Sequence, residues 1–94
     1  MPHGPPAELK ALVGLQIVVD TDSSYVYIGT LDSVSRDCLT LADVDVHDTS
    51  DSKSSKEGYT HETRKIGLRG NRKTVYLRLE RVLSVSRLDD IIKF

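Results

Sequence analysis

The chain has no tryptophan, one phenylalanine, one methionine and one cysteine, and all three of its prolines fall within the first six residues. A single cysteine, Cys38, excludes an internal disulfide. No apolar run approaches the roughly 20 residues that a membrane-spanning helix needs. The opening MPHGPPAELK lacks an apolar signal core, so the expected setting is reducing and cytoplasmic, with no membrane partner. Ninety-four residues make one small domain. Domains of this size bury a modest share of their surface, and association between copies is a common remedy.

A strong excess of charge of either sign is also missing. The net charge of −1 excludes a generally basic nucleic-acid binder. The distribution is uneven, however. Glu8 to Asp51 holds nine acids and two bases, Lys10 and Arg36, whereas Arg64 to Arg87 holds eight bases and one acid, Glu80. Such polarity suits either an acidic partner or the acidic half of a neighbouring copy. An unevenly charged but merely solvated surface is the plainer reading.

What is present is a run of short apolar periods. Residues 1–6 read as a loose tail. Pro6 can open a helix over Ala7 to Val13, and Gly14 fits its C-terminal cap. From Leu15 the period becomes two: Leu15, Ile17 and Val19 alternate with Gln16, Val18 and Asp20 as a half-buried strand. The DTDSS stretch, Asp20–Ser24, reads as a turn. A second strand spans Tyr25 to about Val34, and Ser35-Arg36-Asp37 is a short connection. A third strand starts at Cys38. Its apolar phase slips from Leu39 and Leu41 to Val44 and Val46, which predicts a bend or bulge near Ala42-Asp43. Residues 47–73 read as a long polar loop, part of which, Gly58 to Ile66, extends a hairpin. Two further strands, around TVYLRL and VLSVSRL, flank a tight turn at Glu80-Arg81. Residues 7–94 thus form one domain, mainly β, with a short N-terminal helix. Five short strands suggest a closed or nearly closed antiparallel barrel, because an open sheet exposes its edges.

Gly29 stands in the middle of the second strand, where a side chain is normally wanted. A strongly bent barrel strand needs a position free of a side chain, and Gly29 lies where that corner falls. Tyr27-Ile28-Gly29-Thr30-Leu31, with Gly14 and the IVVD strand before it, resembles the first motif of the Sm and Sm-like proteins. The family's second motif sits at the turn between strands four and five. Leu68-Arg69-Gly70-Asn71 matches it by letters but leaves Thr74 to Leu88 without a turn. Leu77-Arg78-Leu79-Glu80-Arg81-Val82 has the right place and length, with Leu79 where the family has glycine. It is the preferred match, and LRGN then reads as chance agreement.

The resemblance implies a small, bent five-stranded Sm-like (SH3-type) barrel and a homo-oligomeric ring in which strand four of one copy pairs with strand five of the next. Tyr76, Leu83 and Val85 are the expected contact residues. It also implies binding of single-stranded RNA, with bases stacked on the loop after strand two and held by an arginine of the second motif. Carried over, that arginine is Arg78, and the loop is Ser35-Arg36-Asp37. The family's methionine and asparagine there are replaced by about Cys38 and Leu39, and Leu39 reads as core. Arg36, Arg78 and Arg81 can still form a basic rim for RNA or another polyanion. The alternative is a structural or protein-interaction ring that binds no nucleic acid.

The basic residues of the long loop, Lys53, Lys56, Arg64, Lys65, Arg69, Arg72 and Lys73, read as solvated. His3, His47 and His61 have no metal-ligand spacing and read as surface residues; a hydrolase with a metal at these histidines is the weakest reading. Cys38 reads as a small core residue. No phosphate-binding glycine loop or nucleophile signature is present, so neither an enzyme nor a cofactor is expected.

Overall fold

The computed structural model of the protein describes residues 4–51 and 55–92. Five antiparallel strands form one sheet: β1 (Gln16–Thr21), β2 (Tyr25–Val34), β3 (Cys38–Asp48), β4 (Arg72–Arg78) and β5 (Val82–Arg87). Their order is β4-β3-β2-β1-β5. The ladder does not close. β4 and β5 are its two edges, and no pairing joins them among the described residues. Nor is any helix long and apolar enough to cross a membrane among those residues.

The alternation of β1 explains the layering. Ile17 and Val19 point to one face, where they join Leu31, Leu39, Leu41, Val44 and Leu77 in the main core. Val18 points to the other face and meets Val26, Ile28 and Leu88 in a second, smaller cluster. A strand apolar on both faces must be covered on both. On the inner face the N-terminal helix α1 (Ala7–Lys10) brings Leu9, with Leu12 just after it, against the main core. This helix is a single turn, shorter than the Ala7–Val13 expectation. It ends at Ala11, and Gly14 closes the irregular turn that follows, its N–H donating to Leu31 O at 2.8 Å.

The cover of the outer face is the largest departure from the sequence reading. Residues 47–73 are neither a continuous loop nor an extended hairpin. β3 runs on to Asp48, and a helix, α2, spans Lys56–Ile66, including the Gly58–Ile66 stretch expected to form strand. Tyr59 of α2, together with Leu68 and Ile91, packs on the Val18–Val26–Ile28 cluster. Ser55 caps the helix by accepting from the Gly58 N–H at 3.0 Å. The buried residues of α2 are Thr60 and Thr63, and their hydroxyls donate back to Lys56 O and Tyr59 O at 2.8 and 3.0 Å. Each buried hydroxyl is thereby satisfied within the helix itself. Lys56, expected to be solvated, is tied to the β1–β2 turn: its Nζ pairs with Asp20 and donates to the carbonyls of Thr21 and Ser23. His3, Lys53 and Phe94 lie outside the described residues.

The bulge expected near Ala42-Asp43 is present. The β2–β3 register jumps between Ile28 and Thr30, and Asp43 sits at a φ of 51°. An extra residue on β3 returns Val44 to the inner face, where it is fully buried. This gives Gly29 a more specific role than a barrel corner. A Cβ there would lie 3.1 Å from Ala42 O and 3.2 Å from Val44 Cα. The bulged backbone of β3 occupies the space a side chain would need.

Gly70 and Asn71 serve the same bulge from the other side. A Cβ on Gly70 would lie 3.0 Å from the Asp43 carbonyl carbon. The Asn71 side chain accepts from Val46 N–H and donates to Val46 O, both at 3.1 Å, while its own N–H donates to Val44 O at 2.8 Å. LRGN is therefore a structural clip ahead of β4, not a turn between β4 and β5 and not idle loop. Asn71→Ala is expected to cost about 1–2 kcal/mol, because the Val46 backbone groups lose both side-chain partners. Urea denaturation measures this, and an unchanged midpoint would mean that the clip carries no stability. At the opposite end of the excursion, Thr49 donates through its N–H and hydroxyl to Ser24 O, at 2.9 and 2.7 Å. Ser24 in turn donates to Asp48 at 2.6 Å.

Candidate functional site: a cleft between two turns

The turn between β2 and β3 is built by Ser35. Its N–H donates to Cys38 O at 2.9 Å, and its hydroxyl accepts from Cys38 N–H at 3.1 Å. The turn between β4 and β5 is a single 3₁₀ turn, Leu79–Arg81, at the place expected from the sequence. The two turns touch: Leu79 N–H donates to Asp37 O at 2.8 Å. Between them lies an open cleft of about 240 Å³ lined by Arg36, Asp37, Arg78, Leu79 and Glu80.

Two of the three sequence-derived arginines, Arg36 and Arg78, therefore share one cleft although 42 positions separate them in the chain. Each has a carboxylate beside it. Arg36 Nε lies 3.6 Å from Asp37, and Arg78 Nε lies 3.2 Å from Glu80. All four side chains are well exposed, so these pairs add little to stability and open readily to a competing anion. Arg81 stands apart. Its Nε lies 2.9 Å from both carboxylate oxygens of Asp22, and its carbonyl accepts from Asp22 N–H at 3.1 Å. It clips the β1–β2 turn to the start of β5 and is not part of the cleft wall.

Leu39 is fully buried, in agreement with its reading as core. Cys38, expected in the core, is half-buried on the outer face, paired in register with Arg78. The bulge lies beyond it, so the alternation from buried Leu39 turns Cys38 outward.

The expected contact residues divide. Tyr76 on β4 is 73 % exposed and Leu83 on β5 is 67 % exposed. Val85 pairs with Val19 and packs inward against the main core, so its side chain supports β5 from within. Tyr76 pairs with Thr40, on the face opposite buried Leu39 and Leu77.

The histidines do not converge. No group of three or more His, Cys, Asp or Glu side chains able to hold a metal ion occurs among the described residues. His47, expected at the surface, is half-buried, and its ring stacks on Tyr59 at 3.8 Å with 6° between planes. Burial, reinforced by a hydrogen bond to Asp45, holds the Tyr59 phenol protonated well above the usual tyrosine range. His61 Nε2 lies 3.2 Å from Glu57 one turn earlier on α2. Sequence reasoning missed Lys56, Tyr59 and Asn71. The signal for Tyr59 was the second apolar face of Val18, Val26 and Ile28, which required a partner.

The chain matches no protein-family model, and no curated protein matches it. Its function is therefore to be sought in the sheet edges and in the cleft between the two turns.

Proposed function

We propose that this chain is an Sm-like, ring-forming binding protein without enzymatic activity, whose sheet curls into a short barrel and continues from copy to copy through β4 and β5. The observation that carries this reading is the pair of unpaired edges, each bearing one large exposed apolar side chain, Tyr76 on one and Leu83 on the other. Unpaired edges are a liability for a free monomer. Because the two edges differ, their contact is head-to-tail, and such contacts remove every edge only by closing into a ring.

In this reading the ring gathers one Arg36–Arg78 cleft from each copy, and single-stranded RNA or another polyanion binds there through phosphate contacts. Repetition of a weak site around a ring raises the effective affinity without new contacts. The second reading, a ring that binds no nucleic acid, is favoured by one feature: the cleft holds two carboxylates beside its two guanidiniums.

Native mass spectrometry and oligonucleotide binding at two salt concentrations test the two layers separately. A defined oligomer supports the ring, and a monomer at all concentrations removes it. RNA binding that weakens steeply with salt supports phosphate contacts, and its absence at low salt leaves the interaction ring. Arg78→Ala is expected to lower the slope of log affinity against log salt by about 0.7 for each subunit whose Arg78 neutralises a phosphate. Assembly should be unchanged. Equal affinity in mutant and parent would remove Arg78 from the site.

A further inference from the structure

A groove of about 170 Å³ opens beside the β5 edge, between that strand and α2. Val18, Val26 and Ile91 make its apolar floor, and Thr60, Ser84 and Ser86 line its sides with hydroxyls. Ser84 and Ser86 pair with Asp20 and Val18, so both point to the outer face of the sheet. Tyr76 also points to the outer face, on the opposite edge strand. A sheet that runs from β5 of one copy to β4 of the next, with its faces continuous, brings Tyr76 alongside Ser84 and Ser86.

The charges agree with this placement. β4 carries Arg72, Lys73 and Arg78 and no acid. Among the described residues no carboxylate pairs with Arg72 or Lys73. β5 itself carries Arg87 and no acid, and Asp20 in the groove is paired with Lys56, so the acids left to face β4 are Glu57 in the lining and exposed Asp89 and Asp90 just before Ile91.

We propose that Tyr76 of one copy docks in the α2–β5 groove of the next, its ring over Val18, Val26 and Ile91 and its hydroxyl among Thr60, Ser84 and Ser86. A tyrosine suits such a place, with an apolar body to bury and a polar tip that finds partners. The inference rests on the edge-to-edge assembly proposed above and adds a role for α2: the helix supplies one wall of the socket. Copies then meet through a knob as well as through backbone pairing, and the register between strands is fixed by where the knob seats.

Cysteine cross-linking in a Cys38→Ser background tests it. One variant carries Tyr76→Cys, and two others carry Ser84→Cys or Ser86→Cys. Oxidation of the Tyr76→Cys variant mixed with one of the two serine variants, and not with the other, should yield disulfide-linked dimers, because a fixed register brings only the directly opposite residue near disulfide reach and leaves the next one along the strand about 7–8 Å away. The Tyr76→Cys variant alone should yield none. In parallel, Tyr76→Ser should weaken assembly at least about 10-fold, as expected for a central aromatic anchor. If the mixtures assemble but neither cross-links, or Tyr76→Cys couples to itself, or Tyr76→Ser assembles as tightly as the parent, the docking is overturned and the edge assembly stands. A parent that remains monomeric overturns both.

Discussion

Gly29→Val is expected to destabilise the fold by about 2–3 kcal/mol, toward the upper end of what overpacking costs. The obstruction is mostly backbone, which cannot rotate away: Ala42 O and Val44 Cα lie 3.1 and 3.2 Å from where the Cβ would stand, with the buried Val44 Cγ2 also at 3.2 Å. Valine's preference for strands is worth at most about 1 kcal/mol and does not offset the clash. For a domain of this size the melting temperature should fall by on the order of 10–20 °C. Gly29→Ala, with no γ-methyls, should fall between parent and valine variant. Melting curves at one fixed protein concentration give the comparison, since assembly makes stability depend on concentration. Valine and alanine variants as stable as the parent would mean that β3 yields, and that its bulge is not a fixed obstacle.

Ile28→Ala should be more costly, about 2–5 kcal/mol. Ile28 is fully buried on the outer face, in the cluster that also receives Tyr59 of α2. The loss has a local signature besides the global one. The helix keeps its Ser55 cap and its threonine back-bonds, but part of the surface it rests on is gone. Limited proteolysis should therefore cut within α2 before it cuts the strands, and hydrogen exchange should rise in α2 first. A mutant that melts lower with no preferential opening of α2 would show that the helix and the sheet behave as one cooperative unit.

The strands are legible in the sequence because their apolar period is two and their punctuation is explicit. The phase slip from Leu41 to Val44 announces the bulge, and Glu80-Arg81 announces the turn. α2 is not legible, for physical reasons visible in KEGYTHETRKI. Its apolar side chains are few, Tyr59 packs beneath it, and Ile66 remains exposed. Its buried positions are threonines, which count as polar in any pattern and become acceptable inside only by bonding their own helix. The counter-signal lies elsewhere in the chain, in Val18, Val26 and Ile28, where strands half-buried on one face should be polar on the other.

The candidate site is legible only in part. Arg36 and Arg78 stand out by their place in two short connections, and the fold brings those connections together through the Leu79–Asp37 bond. Arg81 carries the same charge in the same turn, yet its partner is Asp22, fifty-nine positions earlier. Nothing local distinguishes Arg78 from Arg81. The difference is set by which turn each faces across the sheet, and that is a tertiary fact. Asn71 escapes notice in the sequence because its neighbours happen to resemble a motif, whereas its carboxamide acts as a piece of backbone for β3.

The ties at Thr49 and at Asn71 both fasten the excursion to fixed points, the first to the β1–β2 corner and the second to β3. Between those two anchorages Lys56 and Tyr59 hold the helix to the sheet, and residues added outside them cost little closure entropy. Outright deletion is a different matter, since it would strip the roof from three aliphatic side chains and leave them facing water. The segment thus tolerates added length but is bound in purpose, and a shorter replacement keeps the molecule intact only if it brings its own greasy underside.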